Sequence, residues 1–220
     1  KVVGDLMIFY AGAEGNLQQN TYSDFVSQNP YLSPTLNIAP TDKQYDVFAG
    51  LKGKLTNTMS YNLRASYVNE KNKALFKSND YNENSNNEDY AFGNSLQVVY
   101  DDMKTVSFYG ELKADISDDV SVGVDGTFSS YTTDLQSEAW NLPSIKLNAK
   151  ADFNITEKWY AGANVFFVGE RKDQKLNTNT PPSPINLESY FDLNAHVGFK
   201  YNDRLTAFLR ANNITNKSYQ

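Results

Sequence analysis

Residues 144–170 read SIKLNAKADFNITEKWYAGANVFFVGE. In the first half Ile145, Leu147, Ala149, Ala151, Phe153 and Ile155 alternate with Lys146, Asn148, Lys150, Asp152 and Asn154. Successive side chains of an extended strand point to opposite faces, so the alternation predicts a strand with one apolar and one polar face. A protein core and the acyl chains of a bilayer both accept such a face, and the rest of the chain decides between them.

The same pattern recurs on both sides. Alternation predicts about nine strands, at 5–15, 45–55, 59–70, 95–116, 120–130, 143–155, 159–171, 187–201 and 205–213. Tyr45, Val47, Ala49 and Leu51 oppose Asp46 and Lys52; Met59, Tyr61, Leu63, Ala65 and Tyr67 oppose Ser60, Asn62, Arg64 and Ser66. Val106, Phe108, Leu112 and Ala114 oppose Ser107, Glu111, Lys113 and Asp115, and Phe191, Leu193, Ala195 and Val197 oppose Asp192, Asn194 and His196. Most of these strands have roughly 10 to 12 residues or more, enough for the roughly 9–11 that a tilted strand needs to cross a bilayer, where strands of soluble sheets average about 5–6.

The connections sort by length. Short polar turns at 56–58, 117–119, 156–158 and 202–204 alternate with long connections at about 16–44, 72–94, 131–142 and 172–186. The parity holds if 95–116 is one strand that continues through Asp101-Asp102. In an up-and-down meander this puts every short turn at one end and every long loop at the other, the architecture of an outer-membrane barrel. A soluble β-sandwich also alternates faces, but nothing in it sorts loops by end. Trp159 and Tyr201, beside short turns on apolar faces, suit an aromatic girdle at the membrane boundary, a role that aromatic strand ends closing an ordinary core share.

The bulk numbers agree. The 220 residues are 40% hydrophobic and 14% aromatic, with 15 Tyr and 13 Phe. No apolar run approaches the roughly 18 residues of a membrane helix, while barrel alternation averages to a polar-looking sequence. Absence of cysteine excludes disulfides, thiolate metal sites and cysteine nucleophiles in these residues. A formal net charge of -6 argues against nucleic acid as a partner.

At 205–220 the sequence is LTAFLRANNITNKSYQ, a strand running into Asn212-Asn213-Ile214-Thr215-Asn216-Lys217-Ser218-Tyr219. This resembles the penultimate-strand motif of TonB-dependent outer-membrane receptors, close to N-[LI]-x-[ND]-x-x-Y. NPYLSPTLNIAPTDKQYD at 29–46, NEKNKALFKSNDY at 69–81, VVYDDMKTVSFYGEL at 98–112, TTDLQSEAWNLP at 132–143 and VGERKD at 168–173 resemble the Bacteroidota branch of that family. The resemblance implies an all-β, antiparallel, up-and-down transmembrane barrel of about 22 strands, of which residues 1–220 are the C-terminal part. It further implies nutrient uptake powered through an N-terminal plug outside this chain and a TonB complex. A surface lipoprotein is a further candidate partner.

The catalytic inventory is poor. The single histidine, His196, lies on a polar face four residues from Asp192, which on a strand is about 13 Å. No G-x-S-x-G, H-E-x-x-H or P-loop occurs, so neither an enzyme nor a cofactor is expected. Asp80, Asn82 and Asn84 resemble the start of a calcium loop, but Ser85 and Ala91 stand where its glycine and bidentate acid belong. No metal site is expected, and the stretch reads as a solvated loop.

Candidate recognition residues are therefore those of the polar face and the long loops. Arg64, Glu111, Lys146, Lys150, Asp152, Asp192, His196 and Arg210 are candidates for contact with a plug or a ligand. In the long connections Tyr22, Phe25, Tyr31 and Trp140 are candidates for contact with substrate or partner, or for packing the loops on their neighbours. Two functions compete: energised uptake of a siderophore, metal complex, oligosaccharide or peptide, and a structural or assembly role in a larger outer-membrane complex.

Overall fold

The computed structural model describes residues 7–33, 36–79, 95–175 and 183–216. The elements in chain order are β1 (Ile8–Gln18), α1 (Tyr22–Gln28), β2 (Thr41–Lys54), β3 (Met59–Ser78), β4 (Leu96–Ser117), β5 (Val120–Thr133), β6 (Ile145–Asn154), β7 (Trp159–Val168), β8 (Arg171–Lys175), β9 (Ser183–Leu187), β10 (Tyr190–Asn202) and β11 (Leu205–Ala211). Nine of the strands form one sheet in the order β1-β2-β3-β4-β5-β6-β7-β10-β11, and β8 pairs with β9 in a separate hairpin. Every pairing in the nine-stranded sheet is antiparallel and joins strands that follow one another, with β8 and β9 interposed between β7 and β10. This is a meander, and β4 is continuous through Asp101 and Asp102 as its parity requires.

The register sorts the two faces across the whole sheet. Leu63 stands opposite Gly110, Phe108 opposite Phe128, Val124 opposite Ala149, Leu147 opposite Phe167 and Val165 opposite Leu193, all on one face. Leu63, Phe108, Phe128, Val124, Leu147 and Val165 are exposed, Phe108 at 56% and Val124 at 53%, and Ala149, Phe167 and Leu193 are partly so. A continuous exposed apolar band over nine strands far exceeds what a soluble monomer presents to water; it is the lipid-facing surface of a barrel wall. No helix among the described residues is long and apolar enough to cross a membrane.

The short turns share one device. A side-chain oxygen two residues back accepts a turn N–H: Thr56 from Thr58, Ser117 from Asp119, Thr156 from Lys158 and Asn202 from Arg204. Hydroxyl and amide oxygens close tight turns in this way without help from neighbouring strands.

The long-connection end departs from the predicted plain loops. The connection 16–44 contains α1, whose N-cap Thr21 and Asp24 form a reciprocal capping box that satisfies two otherwise orphaned N–H groups. The connection 172–186 contains β8 and β9, so strand 159–171 ends early at Val168 and strand 187–201 begins late at Tyr190. β3 continues to Ser78 and β5 to Thr133, beyond the predicted ends. The Asp80–Asn84 stretch lies outside the described residues, as do Pro181 and Pro182 of the connection 172–186.

A bulge shapes the β3 extension. Glu70 pairs with Met103 and Lys73 with Asp101, so two residues of β3 face one of β4. Asn72 takes the left-handed conformation there, φ 52°, and donates its N–H to Asp102 Oδ1 at 3.0 Å, a conformation asparagine tolerates better than most residues. The extra residue turns Leu75 to the polar-face side and Phe76 to the opposite side.

Candidate functional site

Both sides of the β3–β4 extension are covered. On the outer side Phe25 of α1 is buried edge-on against Phe76, with ring centroids 5.6 Å apart, and the Ala39 N–H donates to Tyr100 Oη at 2.9 Å. On the inner side Leu75 (0% exposed), Met103 and Trp140 (4%) form an apolar cluster joined by Val99, Tyr131 and Leu142. The segment 134–143 therefore folds inward over the sheet.

Two buried carboxylates fasten this roof. Asp101 accepts the N–H of Leu135 at 2.9 Å and of Gln136 at 2.7 Å. Asp173 of β8 accepts from Ser78 N and Oγ, each at 2.9 Å. Asn141 donates to the Phe76 carbonyl, and Lys77 to Gln174 Oε1, both at 2.9 Å. Two of the loop candidates are thus packing residues: Phe25 and Trp140 are buried, while Tyr22 and Tyr31 remain exposed.

Below the roof the polar face carries charge and, unexpectedly, aromatic rings. Arg64 lies over the Phe48 ring, 4.0 Å from its centroid, and bonds Asp46 at 3.2 Å. Tyr10 covers Gly50, Phe48 covers Gly12 and Tyr160 covers Gly198, each ring filling the space that a missing side chain leaves on the neighbouring strand. On β4, Glu111 accepts from Tyr109 Oη at 3.2 Å and pairs with Lys113 at 2.9 Å. Asn164 donates to Asn148, and Asn148 to Asp125 at 2.9 Å, two amides and a carboxylate laddered across β7, β6 and β5. Lys146 stands between Thr127 and Val168 at the upper end of β6.

Asp192 differs from expectation. Its carboxylate is 2% exposed and accepts from Thr215 Oγ1 at 2.7 Å, so it is a clasp for the chain after β11 rather than an open wall residue. That chain is the Asn212–Asn216 motif. Asn213 and Asn216 adopt φ 51°, Asn213 N donates to Asn194 Oδ1 at 3.0 Å and Ile214 N to the Leu193 carbonyl at 3.0 Å. The motif folds back on β10, and its small polar residues are what that reversal requires.

A juxtaposition that sequence spacing could not show lies nearer the short turns. Asp152 is opposite Gly162, Gly162 opposite His196 and His196 opposite Arg210, one row across β6, β7, β10 and β11. A Cβ at Gly162 would collide with the His196 ring and lie 2.7 Å from Asp152 Oδ1, so the glycine lets the two side chains converge above it. Two clefts share Asp152 and His196. One, about 550 Å³, is acidic, with Asp115, Asp118 and Asp119; the other, about 300 Å³, holds Lys150 and Arg210. The signal in the sequence was the glycine at a polar-face position of β7, legible only once the register is known. Trp159 and Tyr201 are exposed on the apolar face beside their turns, with the Trp159 and Phe199 rings 4.7 Å apart. Among the described residues no group of His, Asp and Glu could hold a metal ion.

A chain of known structure with the same wall is the pyoverdine outer membrane receptor FpvA from Pseudomonas aeruginosa, similar at TM-score 0.65 and 17% identity over 99% of this chain and 31% of that one. This is the fold of an outer-membrane receptor barrel. The copper transporter OprC is similar at TM-score 0.64 and 12% identity, covering 99% of this chain and 33% of its own. The ferric-catecholate import receptor Fiu from Escherichia coli K12 gives TM-score 0.62 and 13% identity, with 99% and 30% covered. These neighbours are receptors and transporters, not enzymes. The chain spans about a third of their length. No family model matches the sequence, and no curated protein sequence matches it.

Proposed function

We propose that the chain is the C-terminal part of the barrel of a Bacteroidota-type, TonB-dependent receptor that takes up a nutrient through the bacterial outer membrane. The observation that carries this reading is the nine-stranded meander with an exposed apolar band on one face and charge on the other, joined to the likeness with receptor barrels. The bilayer covers the apolar band. The polar face encloses a lumen filled by the protein's own plug, the short turns face the periplasm, and the roofed end faces outward with Tyr22 and Tyr31 available to substrate or to a surface lipoprotein. The similar proteins are named for pyoverdine, copper and ferric catecholates, which supports a siderophore or metal complex as cargo; an oligosaccharide or peptide fits the same architecture.

Uptake of labelled ferric siderophores, copper, oligosaccharides and peptides by cells lacking the intact protein tests the proposal. Loss of uptake of one class, restored by the intact gene and not by one deleted for the plug, is the expected result. Unchanged uptake of every class together with defective envelope assembly overturns it in favour of a structural role.

A further inference from the structure

We infer that the cleft above Gly162 is a carboxylate-binding site. In a chain of net charge -6, this cleft gathers Lys150, His196 and Arg210 around a single acid, Asp152. Neither Lys150 nor Arg210 makes an ion pair within the described residues, where Arg64, Lys73 and Lys113 are the cations that do. Asn194 is also held: its Oδ1 accepts from Asn213 N at 3.0 Å, which leaves the Nδ2 donors on the other side of the amide. The cleft therefore offers a guanidinium fork, an ammonium and a fixed amide donor, a set suited to carboxylate oxygens. Asp152, on the far side of Gly162, accepts from a hydroxyl or amine next to that carboxylate.

The volume, about 300 Å³, has room for a small organic acid. A free hydroxy or amino acid and an acidic side chain from the protein's own lumen-filling segment present the same chemistry. The inference needs a water-filled polar face but no transport, so it stands or falls separately from the uptake experiment.

The test combines calorimetric titration of sodium lactate into the purified intact protein in detergent with thermal unfolding midpoints for Arg210→Gln, Lys150→Gln and a control, Lys52→Gln, a cation of the same face outside the cleft. Saturable lactate binding, weakened about tenfold or more in both cleft variants and unchanged in the control, assigns a site open to a free carboxylate; lactamide must not bind. Absence of lactate binding, with midpoints lowered by several degrees in both variants and restored in Arg210→Lys, assigns the same site already filled by a carboxylate of the protein. The midpoints are compared in an Asp152→Asn background, where no acid of the cleft offsets the cations; there an empty pair of cations predicts the opposite, because neutralising one relieves repulsion. No lactate binding with midpoints equal to or above the control's overturns the inference, as does lactate binding that survives both substitutions.

Discussion

Asp173 and Ser78 are separated by 95 residues of chain, and the carboxylate of one accepts both the backbone N–H and the hydroxyl of the other. The contact ties the β8–β9 hairpin to the far side of the sheet, four strands from β7. A buried carboxylate bonded in this way contributes about 1.5–3 kcal/mol. In Asp173→Ala, amide hydrogen exchange at Ser78 and along β8 should accelerate about tenfold or more, while exchange in β6 stays as in the wild type. Uniform acceleration would show that the hairpin is not a separate cooperative unit.

Asp101 does the corresponding work for 134–143. Asp101→Ala removes the acceptor of the Leu135 and Gln136 amides and should cost about 1.5–3 kcal/mol. Trp140 reports it directly: in a Trp159→Phe background its emission should shift to the red as the indole leaves the Leu75 and Met103 cluster. An unshifted spectrum would separate Trp140 packing from the Asp101 clasp.

The two faces differ in what they tolerate. Val124→Lys places a charge in the apolar band of β5 and should cost about 2–4 kcal/mol in a bilayer. Ser121→Lys, three residues away on the polar face and beside Asp152 and Asp115, should be neutral or stabilising. Folding titrations into lipid vesicles compare the two, and equal costs would sink the assignment of the faces.

Gly50 tests the aromatic filling. A Cβ there would meet the Tyr10 ring and, at 2.5 Å, the Leu63 carbonyl oxygen, which belongs to the backbone and cannot turn aside. Gly50→Ala should destabilise by about 1–3 kcal/mol through overpacking, read as a lowered midpoint of heat-induced unfolding in gel mobility. Gly110→Ala meets only Leu63 Cδ2 at 3.5 Å and should be nearly silent.

The wall was legible because lipid outside and water inside impose one rule on every strand: Ile145 to Phe153 and Phe191 to Phe199 follow it without exception. The turns were legible because Thr56, Ser117, Thr156 and Asn202 act locally. The roof was not. The β8 sequence Arg171–Lys175 has no apolar face to alternate, since it is held by Asp173 and Gln174 bonded to a distant strand. Nor does the sequence show the bulge at Asn72, which reverses the faces of Leu75 and Phe76. The α1 capping box, Thr21 with Asp24, stood in plain view but was too short a helix to produce a period. The convergence of Asp152 and His196 over Gly162 depends on two strand registers at once.

The double cover of the β3–β4 extension has a consequence for how the molecule comes apart. Below the bulge at Asn72 the wall is held by hydrocarbon on one side. Above it, Phe25 with Phe76 and Leu75 with Trp140 make two small protein cores back to back, whose driving force is the expulsion of water. Urea weakens burial of that kind, so the mast above the membrane should melt first and leave the staves beneath it standing.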